Sequence, residues 1–310
     1  MNIYNVAFLG STVPAGDLIF TRGLVGGGNH GNYPSITPTA TIEYITIDTT
    51  GNATDFGDLS TSIAYLAAIS SITRGIFGGG DTGSPINVMQ YVTISTTGNT
   101  TDFGDLTVAR SYLSGSNNTT RGVFAGGYSG GNSNVIDYVT MDTTGNATDF
   151  GDLQVALNGM GGNVGSDTRG VFAGGAGYTT AMEYITYSTP SNSTTFGNLA
   201  VGKTYMAGTC SPTRGLFAGG FNPPTYLGTQ EIEYITIDTT GNATTFGDMT
   251  VGSESLATMT SNTRGVFAGG VGVSHVENVM DYVTIDTTGN ATDFGDLTIA
   301  TSNLAGASGN

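Results

Sequence analysis

Thr120-Arg-Gly-Val-Phe-Ala-Gly-Gly127 and Thr143-Thr-Gly-Asn-Ala-Thr-Asp-Phe-Gly-Asp-Leu153 decide how this chain is read, because both strings return in variant form along its length. The first returns around Arg22, Arg74, Arg121, Arg169, Arg214 and Arg264, at spacings of 52, 47, 48, 45 and 50 residues. The second carries Phe56, Phe103, Phe150, Phe196, Phe246 and Phe294. Between the two stands a tyrosine preceded by an acid or Gln, at Tyr44, Tyr91, Tyr138, Tyr184, Tyr234 and Tyr282. Six copies of one unit thus fill residues 21–310, and a period of this length marks a repeat architecture.

Each unit divides into four short segments, a to d. In the third copy they are Ser111 to Ser116, Arg121 to Gly126, Ile136 to Asp142 and Ala147 to Leu153. Segment c, with Asp137-Tyr-Val-Thr-Met141, is β-branched and aromatic, and the following Gly145-Asn146 tolerates the positive φ of a hairpin turn. Helical periodicity is absent from the repeats. Four strands in each of six units predict an all-β, six-bladed β-propeller. The ends support it: Asn303-Leu-Ala-Gly-Ala-Ser308 reads as an a segment with no b after it, and Thr21 to Gly26 as a b segment with no a before it. The C-terminal strand is therefore expected to pair with the N-terminal b strand and close the ring, removing exposed edges.

Composition narrows the partners. The chain holds 24 acids against 8 Lys and Arg, a net charge of −16, so nucleic acid, which binds through cations that displace its counterions, is not an expected partner. The single Cys210 excludes an intramolecular disulfide framework and a Cys-rich zinc site. No apolar run approaches the ~20 residues that span a bilayer, and the first residues lack a signal-peptide pattern, so no membrane insertion is expected.

The glycine doublet that follows each b strand, as at Gly126-Gly127, then Tyr138 on the next strand and Phe150 on the outer one, resembles the kelch repeat. The strings TRGVFAGG and TTGNATDFGDL also resemble tandem repeats of marine bacteriophage proteins, including tail and virion structural proteins. What these resemblances imply is a non-enzymatic structural or adhesion protein on the surface of a phage particle, located on the virion, with other virion proteins and a host-surface glycan or protein as partners. A soluble carbohydrate-binding lectin is the alternative, and a metal-dependent propeller enzyme the third reading.

Residue placement gives the candidate sites. Arg22, Arg74, Arg121, Arg169, Arg214 and Arg264 are expected to act as structural braces, one per blade. Each would pair with an Asp of its own c to d region, such as Asp48, Asp142, Asp149 or Asp286, through its planar guanidinium. The acids before each Tyr and each outer Leu should make the opposite face acidic, through backbone N–H bonds or, at Glu43 and Asp58, a weak Ca²⁺ site; no other cofactor is expected. The b to c loops vary from 7 to 14 residues, and variation on a uniform scaffold marks a binding face. His30, Tyr33, Phe221, Tyr226, His275 and Glu277 are its candidate residues. No catalytic residue is expected: no nucleophile elbow, phosphate loop or His-x-x-x-His helix is present. Residues 1–20 match no full repeat and form an N-terminal appendage, expected to dock onto other virion proteins.

Overall fold

The computed structural model describes residues 21–31, 35–223 and 227–310; the appendage expected at residues 1–20 lies outside them, as do Tyr33 and Tyr226. All described secondary structure is β, with no helix. Six four-stranded antiparallel sheets follow the six repeats. In the third sheet the order is Ser114–Asn117, Arg121–Ala125, Val135–Thr140 and Thr148–Asp152, which are strands a, b, c and d. In the first sheet strand a is the end of the chain: Ala305–Gly309 pairs with Arg22–Gly26, matching Arg22 to Gly309 and Gly26 to Ala305. The expected pairing of the terminal strands is therefore present.

Each sheet is buried on both faces, and the apolar pair of every b strand shows why. Successive side chains of a strand point to opposite faces. Val123 accordingly packs toward the fourth sheet, with Phe172 and Ile185, while Phe124 packs toward the second, with Ile69 and Phe103. Six such clusters lie between consecutive sheets, including one that joins the sixth sheet (Met259, Val266, Phe294) to the first (Val25, Ile45). Within each sheet a bulge interrupts the pairing of c with d: Ile136 faces Gly151 and Asp137 faces Asp149, leaving Phe150 without a partner on strand c. That extra residue is 2% exposed and meets Tyr138 edge-on at 5.9 Å. The repeated Phe and Tyr are thus one packing unit.

Glycine serves the close approach of neighbouring sheets. A Cβ on Gly122 would lie 2.1 Å from the Ile69 side chain of the second sheet. The doublet Gly126-Gly127 instead supplies φ of +63° and +106°, a left-handed turn that other residues enter at a cost.

The sheets are also stitched along their outer edge. Gly98 N donates to Phe56 O (2.8 Å) and Asp58 N to Asn99 Oδ1 (3.0 Å), so the c–d turn of the second sheet covers the d edge of the first. Asn146, Asn192, Asn242 and Asn290 repeat this onto the preceding sheet, and Asn52 accepts from Asp296 N of the sixth (3.1 Å). The recurrent Asn is a turn residue, as its sequence context suggests, and also an intersheet acceptor. Covered edges cannot template pairing with other chains.

Candidate functional site

The repeat arginines brace the sheets through partners other than those expected. Each guanidinium lies 4.3–4.7 Å from the ring centre of the Tyr on its own sheet, from Arg22 over Tyr44 to Arg264 over Tyr282. Strand register dictates this: Arg22 faces Thr46 and Leu24 faces Tyr44, so Arg and Tyr are diagonal neighbours on one face. Five also donate Nη1 to a carbonyl of the next sheet: Arg22 to Ile94 (2.8 Å), Arg74 to Met141 (3.2 Å), Arg121 to Tyr187, Arg214 to Ile285 (3.2 Å) and Arg264 to Ile47 (3.0 Å). Arg169 stacks on Tyr184, but its buried Nη1 has no partner. The proposed Arg to Asp pair per sheet is corrected, because the guanidinium is spent on the ring and the carbonyl. Asp48, Asp142, Asp238 and Asp286 instead accept from Ser261, Ser71, Ser166 and Ser211 in the a–b turns of the preceding sheet.

The acids before each Tyr are buried at sheet junctions, not spread on a loop face. Glu43 is 5% exposed and binds the N–H and hydroxyl of Thr298; Asp137, Glu183, Glu233 and Asp281 take d–a turn N–H groups in the same way. The expected Ca²⁺ pair does not converge: Asp58 faces Thr41 across the strands, while Glu43 turns to the sixth sheet. Among the described residues no three His, Cys, Asp or Glu side chains group to hold a metal. Two junctions add a buried cation. Arg110 reaches Asp137 at 2.6 Å, and Lys203 reaches Glu231 at 2.7 Å and Glu233 at 3.2 Å. Burial lowers the Arg110 pKa while Asp137 opposes the shift.

The loop candidates separate into two places. His275 Nε2 lies 3.3 Å from the Glu277 carboxylate, and Thr301 donates to Glu277 O while facing His30 on a short strand pair. Phe221 stands elsewhere, paired to Thr204 and tilted against Tyr178 at 6.0 Å.

Three tyrosines absent from these expectations mark the same end of the sheets. Tyr65, Tyr112 and Tyr205 all hold left-handed φ, as do Gly159, Ser255 and Asn303 in the other copies, between 55° and 62°. Their backbones form a hydrogen-bond circuit: Tyr112 N to Tyr65 O, Gly159 to Tyr112, Tyr205 to Gly159, Ser255 to Tyr205, Asn303 to Ser255 and Tyr65 to Asn303, all 2.7–3.0 Å. Tyr65 and Tyr112 stack at 4.1 Å. The available signal was a tyrosine nine residues before the repeat arginine in three copies.

Exposure separates the two ends of the sheets. Every large hydrophobic that is exposed among the described residues lies in a b–c or d–a connection: Ile36, Tyr128, Tyr178 and Val273 in the former, Val108, Val155, Val201 and Ile299 in the latter. The last four occupy one repeat position, three residues after Asp105, Asp152, Asn198 and Asp296. At the other end, where the a–b turns emerge, a cavity of about 290 Å³ is lined by all six sheets. No protein-family model and no curated protein matches this chain.

Proposed function

We propose that the six sheets are blades of one closed, kelch-like propeller that serves as a non-enzymatic structural or adhesion protein, presenting its b–c and d–a loop face to a partner. Support for the ring comes from the six-membered backbone circuit, the Asn stitches that return from the first sheet to the sixth, and the paired chain ends. The binding role rests on the confinement of exposed large hydrophobics to that face, with none at the a–b end among the described residues. A place on a phage particle follows from the likeness of the repeat strings to virion proteins, with the partner a neighbouring virion protein or a molecule of the host surface.

The test has two arms. Purified particles of a virus encoding the chain should contain it by mass spectrometry; absence from them removes the virion reading. The triple variant Val155→Ser, Val201→Ser, Ile299→Ser should keep its circular dichroism and thermal midpoint yet lose attachment to particle or host cell. Unchanged attachment removes the loop face.

A further inference from the structure

We propose that the cavity at the a–b end of the sheets is a binding site for one neutral sugar residue. It lies at the opposite end of the strands from the loop face and does not depend on the reading of that face. Ser70, Asn117, Gly165, Cys210, Thr260 and Ser308, one from the end of each a strand, form its wall. At about 290 Å³ it stands at the small end of ligand pockets. That is room for a single ring, not an extended chain.

The wall carries a polar relay. Thr260 N donates to Ser308 Oγ (2.8 Å), Ser308 N to Ser70 Oγ (3.1 Å) and Ser70 N to Asn117 Oδ1 (3.1 Å). Each serine oxygen thus accepts a backbone N–H from a neighbouring sheet, while its hydroxyl proton is left to donate. Thr209 in the same lining turns its side chain against Gly265 of the sixth sheet, where its Oγ1 is buried without a partner. Ile72, Ala307 and Pro212 supply carbon surface between these groups.

Charge selects the ligand class. No Lys, Arg or His lines the cavity, and Asp167 is its one charged residue. Phosphate, sulfate and uronate ligands would enter without a counter-charge in a protein of net charge −16. A neutral pyranose matches the wall better, having hydroxyls around its rim, which both donate and accept, and C–H groups on its faces.

Cys210, the single cysteine, reports occupancy. Burial pushes its thiol up to about 11, so its reaction with methyl methanethiosulfonate is slow and readily followed by mass spectrometry. D-Glucose, D-galactose, D-mannose and N-acetyl-D-glucosamine are the probes, set against D-glucuronate and D-glucosamine. At least one neutral sugar should slow the modification roughly tenfold when present at ten times its Kd, while the charged sugars do not. Calorimetric titration of the same sugar should give a matching affinity. Ile72→Trp, at the half-buried rim, should narrow the mouth, and Ser70→Ala with Ser308→Ala should remove the donors. Both should abolish protection, and the loop-face triple variant should keep it. The proposal is overturned if no neutral sugar protects, if charged sugars protect equally, or if protection survives in the donor or rim variants.

Discussion

The guanidinium of Arg110 lies 2.6 Å from the carboxylate of Asp137, and both side chains are fully buried between the second and third sheets. Arg110 Nη1 also reaches Gly126 O and Val135 O at 2.7 Å, and Asp137 accepts from the Thr107 hydroxyl at 2.5 Å. These partners offset part of the cost of desolvating two ions, although Arg110 Nε is left as a buried donor without one. Between the first and second sheets, Ile63 and Gln90 take the corresponding positions, buried at 1% and 2%. There Gln90 Oε1 still accepts from Ser60 N and the Thr100 hydroxyl. Cation and charge are thus replaceable together; Glu183, 7% exposed with Leu157 in the cation's position, holds its carboxylate on N–H and hydroxyl donors alone, whereas the Asp137 side chain is fully buried. Arg110→Ile alone should cost about 3–5 kcal/mol by stranding a buried carboxylate. Adding Asp137→Gln should recover most of that loss. Chemical denaturation of both singles and the double provides the cycle, and additive losses would show that the two residues are uncoupled.

Strand count, repeat boundaries and terminal pairing were legible because they depend on local pattern: an apolar pair, a glycine doublet, a hairpin Gly-Asn. The arginine partners were not. Arg22 and Asp48 belong to neighbouring turns of one repeat, yet intersheet packing sends Arg22 to Ile94 O and Asp48 to Ser261. Such choices depend on which neighbouring sheet comes close, information that one repeat does not carry. Tyr65, Tyr112 and Tyr205 were missed for a similar reason, since their left-handed backbone is held by a circuit running through all six sheets. The loop candidates were only partly recoverable: His275 meets Glu277, while Phe221 packs with Tyr178 instead.

Arg214 and Arg169 form an internal comparison. Arg214 stacks on Tyr234 at 4.6 Å and donates to Ile285 O at 3.2 Å. Arg169 stacks on Tyr184 at 4.4 Å but leaves a buried Nη1 unsatisfied. Both substitutions to Met lose a cation–π contact of roughly 0.5–2 kcal/mol, while only Arg214→Met also loses a charged hydrogen bond of roughly 1.5–3 kcal/mol. Arg169→Met additionally removes the unpaired donor. Arg214→Met should therefore lower the denaturation midpoint clearly more, and equal midpoints would refute a bracing role for the carbonyl bond.

Glu254 should give the fold a recognisable pH dependence. Its burial pushes the carboxyl up to about 7, and Oε2 has no partner. Between the ordinary carboxyl range and pH 7 the native protein holds this proton more tightly than the unfolded chain does. The contribution to stability is therefore full below the ordinary range and is lost as pH rises through 7. Glu254→Gln, which stays neutral, should leave stability near pH 4 almost unchanged and raise it at pH 8. The side chain is partly exposed, so solvent screening limits the gain to roughly 1–2 °C in Tm. A wild-type-to-variant difference that does not vary with pH would remove Glu254 as its source.

Ser255 holds φ of 59° at the position where Gly159 has 62°, and both pass the backbone circuit from one sheet to the next. A left-handed conformation costs an L residue about 1–2 kcal/mol, whereas glycine adopts it freely but loses more chain entropy on folding. Ser255→Gly should therefore stabilise the protein by about 0.5–1 kcal/mol, since Ser255 N to Tyr205 O and Asn303 N to Ser255 O need no side chain. Tyr112 has the same geometry, with φ of 55°, but its ring stacks on Tyr65 at 4.1 Å and lies 5.9 Å from Tyr205. Tyr112→Gly relieves the backbone yet forfeits a stacked pair worth about 0.5–1.5 kcal/mol beyond the area it buries. Its net effect should be destabilising, opposite in sign to Ser255→Gly. Urea denaturation of the two variants decides the matter. If both are stabilising, the tyrosine stack contributes less than the strain of its own backbone.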